Sequence, residues 1–199
     1  ANEWYRRAAA GGNATAMYNL GLNYENGYGV AKDEAEAYRW YLQSARLGDV
    51  DAALEVGNRL ALGQGTAVNK EAAVGWWLRA ADHGNATALY NLGIFYQNGE
   101  GVAQDSARAV SCFRKAAEMG EPTAQAKMGW LCFTGQGVEQ NDAAAVSWWS
   151  KAAKQGEASA LYYLGLSYEQ GRGVTQSYDR AFSYYRRAAE AGDVDAVYN

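Results

Sequence analysis

Residues 16–48 read AMYNLGLNYENGYGVAKDEAEAYRWYLQSARLG. In the first part, Ala16, Leu20 and Tyr24 stand four apart with Gly21 beside Leu20, so they share one side of a helix. In the second part, Ala37, Trp40, Tyr41, Ser44 and Ala45 fall at i, i+3, i+4, i+7 and i+8, the spacing of a second apolar helix face. Gly27 and Gly29 lie between the two runs. Asp33 precedes the second run with Glu36 three positions on, a pattern in which the aspartate caps free amides and the glutamate reaches back. Gly48 then serves as a left-handed stop. The stretch predicts two antiparallel helices, and Gly21 lacks a side chain where they would cross.

Outward from this stretch, the pattern recurs. Gly21, Gly57, Gly93, Gly129 and Gly165 are spaced by 36 residues, as are Gly12, Gly48, Gly84, Gly120, Gly156 and Gly192. Ala16, Ala37 and the Gly27/Gly29 pair each begin a series with the same step. A fixed period between about 20 and 50 residues identifies a repeat array. The frame predicts one repeat domain over 1–199: a partial repeat 1–12, repeats 13–48, 49–84, 85–120, 121–156 and 157–192, and a partial repeat 193–199. Asn13, Asp49, Asn85, Glu121, Glu157 and Asp193 occupy first-helix caps or the positive end of the helix dipole. Asn69, Asp105, Asn141 and Ser177 fill the second-helix cap slot of Asp33. Pro122 falls at the first helical position, where proline is tolerated. Trp4, Tyr5, Ala8 and Ala9 match a second helix and Asp193 opens another first helix, so the chain reads as cut from a longer array.

The unit running through Ala16, Leu20, Gly21, Tyr24, Gly27, Gly29, Val30, Asp33, Ala37, Trp40, Tyr41 and Gly48 resembles the Sel-one-like repeat, a relative of the tetratricopeptide repeat. The second unit departs at Val56, Leu60 and Thr66 and the fourth at Met128 and Cys132. The resemblance implies an all-α, right-handed α/α superhelix that serves mainly as an adaptor for protein partners. It also implies frequent use in exported or periplasmic bacterial proteins, or in membrane-associated protein quality control.

Composition narrows the function classes. Eighteen basic against 22 acidic side chains give a net charge of −4, which disfavours a binder of nucleic-acid backbones. No run approaches the roughly 18 apolar residues of a membrane span. One His and two Cys leave no basis for a multi-ligand metal site, and no cofactor is expected. Seven Trp, 15 Tyr and 4 Phe provide ample core.

Stacked helix pairs leave a concave wall lined by first helices. Opposite the Ala16–Leu20–Tyr24 stripe lie positions 15, 18, 22, 25 and 26 of each unit, and these vary far more than the glycines and alanines. From them we expect a protein or peptide partner to be bound by Tyr18, Glu25, Asn58, Tyr90, Gln97, Trp130, Phe133, Tyr162 and Glu169, with Trp130 and Phe133 the sharpest candidates because large aromatics anchor interfaces. The competing reading is that these side chains only pack first helices together. Ala126 falls on the same face. Groove aromatics beside Asn, Gln and Glu also suit a carbohydrate or cell-wall ligand. A hydrolase acting on cell-wall-like substrates would rest only on scattered groove carboxylates such as Glu25 and Glu169, which stand four units apart, against the roughly 10 Å limit for a paired acid and base.

Other features have structural readings beside functional ones. Arg7, Arg79, Lys115, Lys151 and Arg187 share one slot late in the second helices, either as a basic ridge or as solvated cations complementing helix C-termini. Asn13-Ala14-Thr15 and Asn85-Ala86-Thr87 match a glycosylation sequon, but both asparagines sit at caps. Cys112 and Cys132 lie on adjacent helices, either bridged or as two buried thiols. His83 ends a second helix, and the Gly-x-Gly pairs read as turns, since no strand precedes them.

Overall fold

The computed structural model describes residues 2–193; the partial repeat expected at 193–199 lies, but for Asp193, outside them. Eleven α-helices and no strand occur among the described residues: α1 (Asn2–Ala10), α2 (Ala14–Asn26), α3 (Glu34–Arg46), α4 (Val50–Leu62), α5 (Lys70–Asp82), α6 (Ala86–Asn98), α7 (Ser106–Glu118), α8 (Pro122–Thr134), α9 (Asp142–Lys154), α10 (Ala158–Gln170) and α11 (Tyr178–Glu190). The all-α helix-pair architecture is the one the 36-residue frame predicts. The chain forms two compact units, Ala1–Asp105 and Ser106–Asn199. In the first, α1 packs on α2, α2 on α3, and so on to α6; in the second the same succession runs from α7 to α11.

Within each unit, a ring laid on a glycine closes the helix pairs α2/α3, α4/α5, α8/α9 and α10/α11. A Cβ at Gly21 would stand 2.6 Å from the Tyr41 ring, and one at Gly165 would stand 2.6 Å from the Tyr185 ring. Gly57 under Trp77 and Gly129 under Trp149 are tighter still. The alanine series flanks these contacts: Ala16, Ala37, Ala52, Ala73, Ala88, Ala109, Ala124, Ala145, Ala160 and Ala181 are at most 4% exposed, which leaves no space for a longer side chain.

Caps set the helix starts. Asn13, Asp49 and Asn85 accept from the amides of Ala16, Ala52 and Ala88 at 2.8–2.9 Å, and Glu121 does the same for Ala124. Glu157 departs from this pattern: it makes no capping bond, and its carboxylate accepts from the Ser159 hydroxyl at 2.8 Å. At the second helices, Asp33 accepts from Ala35 and Glu36, Asn69 from Ala72, Asn141 from Ala144 and Ser177 from Arg180. The expected return bond from Glu36 is not made. Its carboxylate pairs with Arg39 at 2.6 Å, and the Asp33 amide donates to the Tyr24 carbonyl at 2.9 Å instead. The same closure joins Asn69 to Leu60, Asn141 to Cys132 and Ser177 to Tyr168. A backbone bond to the first helix thus does what the capping box would have done, and it also fixes the loop.

The two loop glycines have different tasks. Gly27, at φ +75°, ends α2, with its nearest neighbours 3.7 Å from a would-be Cβ. Gly65, at φ +69°, has the same backbone conformation but sits against the Glu34 carbonyl at the start of α3 in the preceding pair. Gly101 meets Lys70 in the same way at 2.5 Å, and Gly173 meets Asp142. Repeats therefore stack through loop backbone as well as through side chains.

Two outcomes follow for equilibrium unfolding in denaturant. Gly27→Ala and Gly65→Ala share the left-handed strain, but Gly65→Ala loses at least about 1 kcal/mol more, because its methyl group strikes backbone that cannot rotate away. Gly129→Ala costs about 1–3 kcal/mol, and adding Trp149→Leu leaves the pair less destabilised than the sum of the single changes; strict additivity would contradict the ring-on-glycine contact.

Candidate functional site

The first-helix walls are built differently in the two units. In the first, Tyr18 on α2 is half-buried with its ring 5.4 Å from that of Tyr41. Glu25 accepts from the Tyr41 hydroxyl at 2.6 Å and pairs with Arg59 at 2.8 Å. Arg59, on α4, is 1% exposed; it also pairs with Glu34 at 2.7 Å and stands over the Tyr41 ring at 5.0 Å. A buried guanidinium is tolerable only with such charged partners, so Glu25 is a scaffold residue as well as a wall residue. Burial first, then the bond to Glu25, pushes the Tyr41 phenol up, so it remains a neutral donor.

Asn58 is held from two sides, accepting from the Trp77 indole at 3.1 Å and from the Asn91 amide at 3.0 Å. Beside it lies a pocket of about 330 Å³ lined by Glu55, Asn58, Ala61, Leu62, Gln64, Trp77, Asn91, Ile94 and Phe95. Tyr90 and Gln97 on α6 are half-buried, and the Gln97 carbonyl accepts from Gln104 at 2.8 Å.

In the second unit the wall is aromatic. The half-buried Trp130 ring lies 5.3 Å from Tyr163 and 6.2 Å from Phe133. Phe133 packs on Trp149 at 5.5 Å and lies under the Arg172 guanidinium at 3.6 Å, which Asp142 holds with two bonds. Tyr162 contacts Tyr163 at 5.4 Å and Tyr185 at 5.6 Å, and Glu169 accepts from the Tyr185 hydroxyl at 2.7 Å. Ala126 corrects the expectation for its face: it is buried, at 6% exposure, with its carbonyl accepting from the Trp149 indole at 3.1 Å. An alanine is too short to emerge past the ring that crosses it.

The sequence reading missed Glu55, Asn91 and Tyr163. They occupy the position of Asn19, about 80° round the helix from the centre of the face chosen. Their signal was present, because that slot reads Asn19, Glu55, Asn91, Lys127 and Tyr163 and varies as widely as its neighbours. It also missed the rings under the second-helix cations. Arg7 stands 5.3 Å from Trp4, Arg79 4.9 Å from Trp76, Lys151 4.1 Å from Trp148 and Arg187 5.4 Å from Tyr184, each pair three residues apart.

The remaining reactive groups sit in structural roles. Cys112 is half-buried and Cys132 buried; both are free, and burial pushes both thiols up, away from the reactive thiolate. His83 is the exposed C-cap of α5. Among the described residues no group of three or more His, Cys, Asp or Glu could hold a metal ion, and no helix is long and apolar enough to cross a membrane.

The Glu55 carboxyl on α4 is held above the usual carboxylate range. Burial comes first, followed by the Glu25 carboxylate, while Arg59 and the Asn58 amide oppose the shift and Asp51 adds to it. A carboxyl raised in the folded chain holds its proton where the unfolded chain has lost it, so stability falls as pH rises from the ordinary glutamate value through the raised one. Glu55→Gln therefore gains melting temperature relative to the parent between pH 4 and pH 8, as followed by circular dichroism; a constant difference would place Glu55 in water.

Comparison with known proteins agrees with this geometry. The Sel1 repeat family matches residues 1–13, 14–49, 50–85, 86–121, 122–157 and 158–193. A protective antigen present in uropathogenic Escherichia coli strains, displaying an SLR fold, is 36% identical with a TM-score of 0.89; the match covers 98% of this chain and 42% of the antigen, so the chain spans about two fifths of that protein. A Sel1 repeat protein from Oxalobacter formigenes is 30% identical with a TM-score of 0.85, covering 92% of this chain and 73% of that one. An immunity protein of Pseudomonas aeruginosa, at 24% identity and a TM-score of 0.63 over 98% of this chain and 74% of that one, shows a likeness of fold alone. No curated protein matches. Sel1 repeats serve generally as protein-interaction scaffolds and are typically non-enzymatic. With six matched repeats spanning nearly its whole length, this chain belongs to the Sel1 repeat family.

Proposed function

We propose that this chain is a noncatalytic scaffold that binds a segment of a protein or peptide partner along its first-helix walls. The observation that carries the reading is the pocket of about 330 Å³ beside Asn58, where α4, α5 and α6 leave apolar and polar side chains facing an open space instead of packing it shut. The aromatic wall of the second unit supports it. Trp130 and Phe133 are braced by Tyr163, Trp149 and Arg172, so little side-chain entropy is lost when they are covered by a partner. Tyr18 on α2, Tyr90 and Gln97 on α6 and Tyr162 on α10 are half-buried and would contribute contact area, while Glu25 and Glu169 would act through the tyrosine hydroxyls they hold.

These internal bonds also argue against the hydrolase reading. Each carboxylate accepts from a buried phenol, and Glu25 is also paired with the buried Arg59, so both are occupied in holding the scaffold rather than free to act as acid or base.

The test is capture of partners from extracts of the source cell by the immobilised 199-residue chain. Leu62→Glu, at a wall residue 67% exposed, and Trp130→Ala are compared with Phe182→Ser, on the exposed face of second helix α11. The two wall variants lower capture of the same protein at least tenfold while Phe182→Ser retains it, with circular dichroism confirming equal helical content. Loss with Phe182→Ser alone would move binding off the first helices.

A further inference from the structure

We propose that the pocket between α4 and α6 takes one cationic side chain, arginine or lysine, of a bound peptide, with Glu55 as its anionic partner; this rests on the wall-binding reading above. Size sets the first limit. At about 330 Å³ the space is at the small end of ligand pockets and holds one long side chain rather than a glycan or a helix. Its lining then selects the type. Leu62, Ile94 and Phe95 offer apolar surface suited to an aliphatic stem, while Glu55 supplies the single charged group.

The charge of Glu55 is not already spent. Arg59, one helical turn further along α4, is committed to Glu25 at 2.8 Å and to Glu34 at 2.7 Å. Glu55 is left with the Asn58 amide, whose oxygen is in turn fixed by Trp77 and Asn91. The carboxylate is thus held in place before any ligand arrives, which reduces the ordering cost of pairing. It lies near the carboxylates Glu25 and Asp51, with the Arg59 guanidinium, already shared by Glu25 and Glu34, opposing them. An acidic side chain is repelled there, and a purely apolar one would cover a carboxylate without pairing it, at a desolvation cost. A cation answers both conditions. Partial burial raises the Coulomb attraction between the two charges above that on an open surface, against the cost of desolvating both.

The experiment titrates the ¹⁵N-labelled full chain with acetyl-Gly-Ala-X-Ala-Gly-amide, where X is arginine, lysine, citrulline or norleucine. The Trp77 indole N–H and the Asn58 and Asn91 side-chain amides report occupancy of the pocket. Arginine and lysine peptides shift these signals saturably, citrulline and norleucine peptides bind at least fivefold more weakly, and Glu55→Gln removes the difference. Equal binding by all four peptides, or a preference for arginine that survives Glu55→Gln, overturns the cation assignment while leaving peptide binding on the wall intact. Absence of any shift at these signals overturns the assignment as well, and the scaffold reading is then decided separately by the capture experiment.

Discussion

The contact on which the rest of the structure depends is an aromatic ring of a second helix lying against a glycine of its partner, in α2/α3, α4/α5, α8/α9 and α10/α11. Because a Cβ at Gly21, Gly57, Gly129 or Gly165 would enter the ring, only glycine lets the two helices approach this closely with the ring between them. The ring then sets where a polar handle emerges. Tyr41 and Tyr185 extend a hydroxyl that Glu25 and Glu169 receive, whereas Trp77 and Trp149 present an indole N–H that reaches Asn58 and the Ala126 carbonyl. A tyrosine in the ring slot thus calls for a glutamate sixteen residues earlier. A tryptophan releases that position, which holds Ala61 in one repeat and Phe133 in another. The chemistry of each wall is in this sense a consequence of which ring fills the seam.

That coupling explains how one backbone carries two kinds of surface. In the first unit Tyr41 and Glu25 draw in Arg59, whose guanidinium is balanced by Glu25 and Glu34, and the neighbouring Glu55 borders the pocket with its carboxyl held up by burial. In the second unit the slot released by Trp149 is filled by Phe133. The wall becomes a run of rings from Phe133 through Trp149 and Tyr163 to Tyr162, with Arg172 capping one end. Stability and recognition draw on the same side chains, which is the ordinary situation in a solenoid whose repeats bury only one face each.

The helix pairs, their caps and the glycine seam were legible in the sequence because each is local: a helix period of 3.6, a cap one residue before it and a glycine at a fixed step require no knowledge of distant partners. The 36-residue recurrence then multiplied that evidence along the chain. Ring type, likewise, is written in single letters. What remained hidden depends on two helices at once. Glu36 turned to Arg39 because the loop had already given the Asp33 amide a partner in Tyr24, and Ala126 vanished under Trp149 although its own helix placed it outward.

The sequence by itself determined an all-α array of helix pairs with a variable first-helix face, since periodicity and glycine spacing are properties of one strand of text. Only the tertiary structure decided which members of that face are tied into the scaffold and which border an open pocket. Whether Glu25 is held by a phenol, Glu55 borders a pocket, or Gly65 touches the carbonyl of Glu34 depends on distances between residues that are up to 31 positions apart, and those distances exist only after neighbouring repeats have stacked.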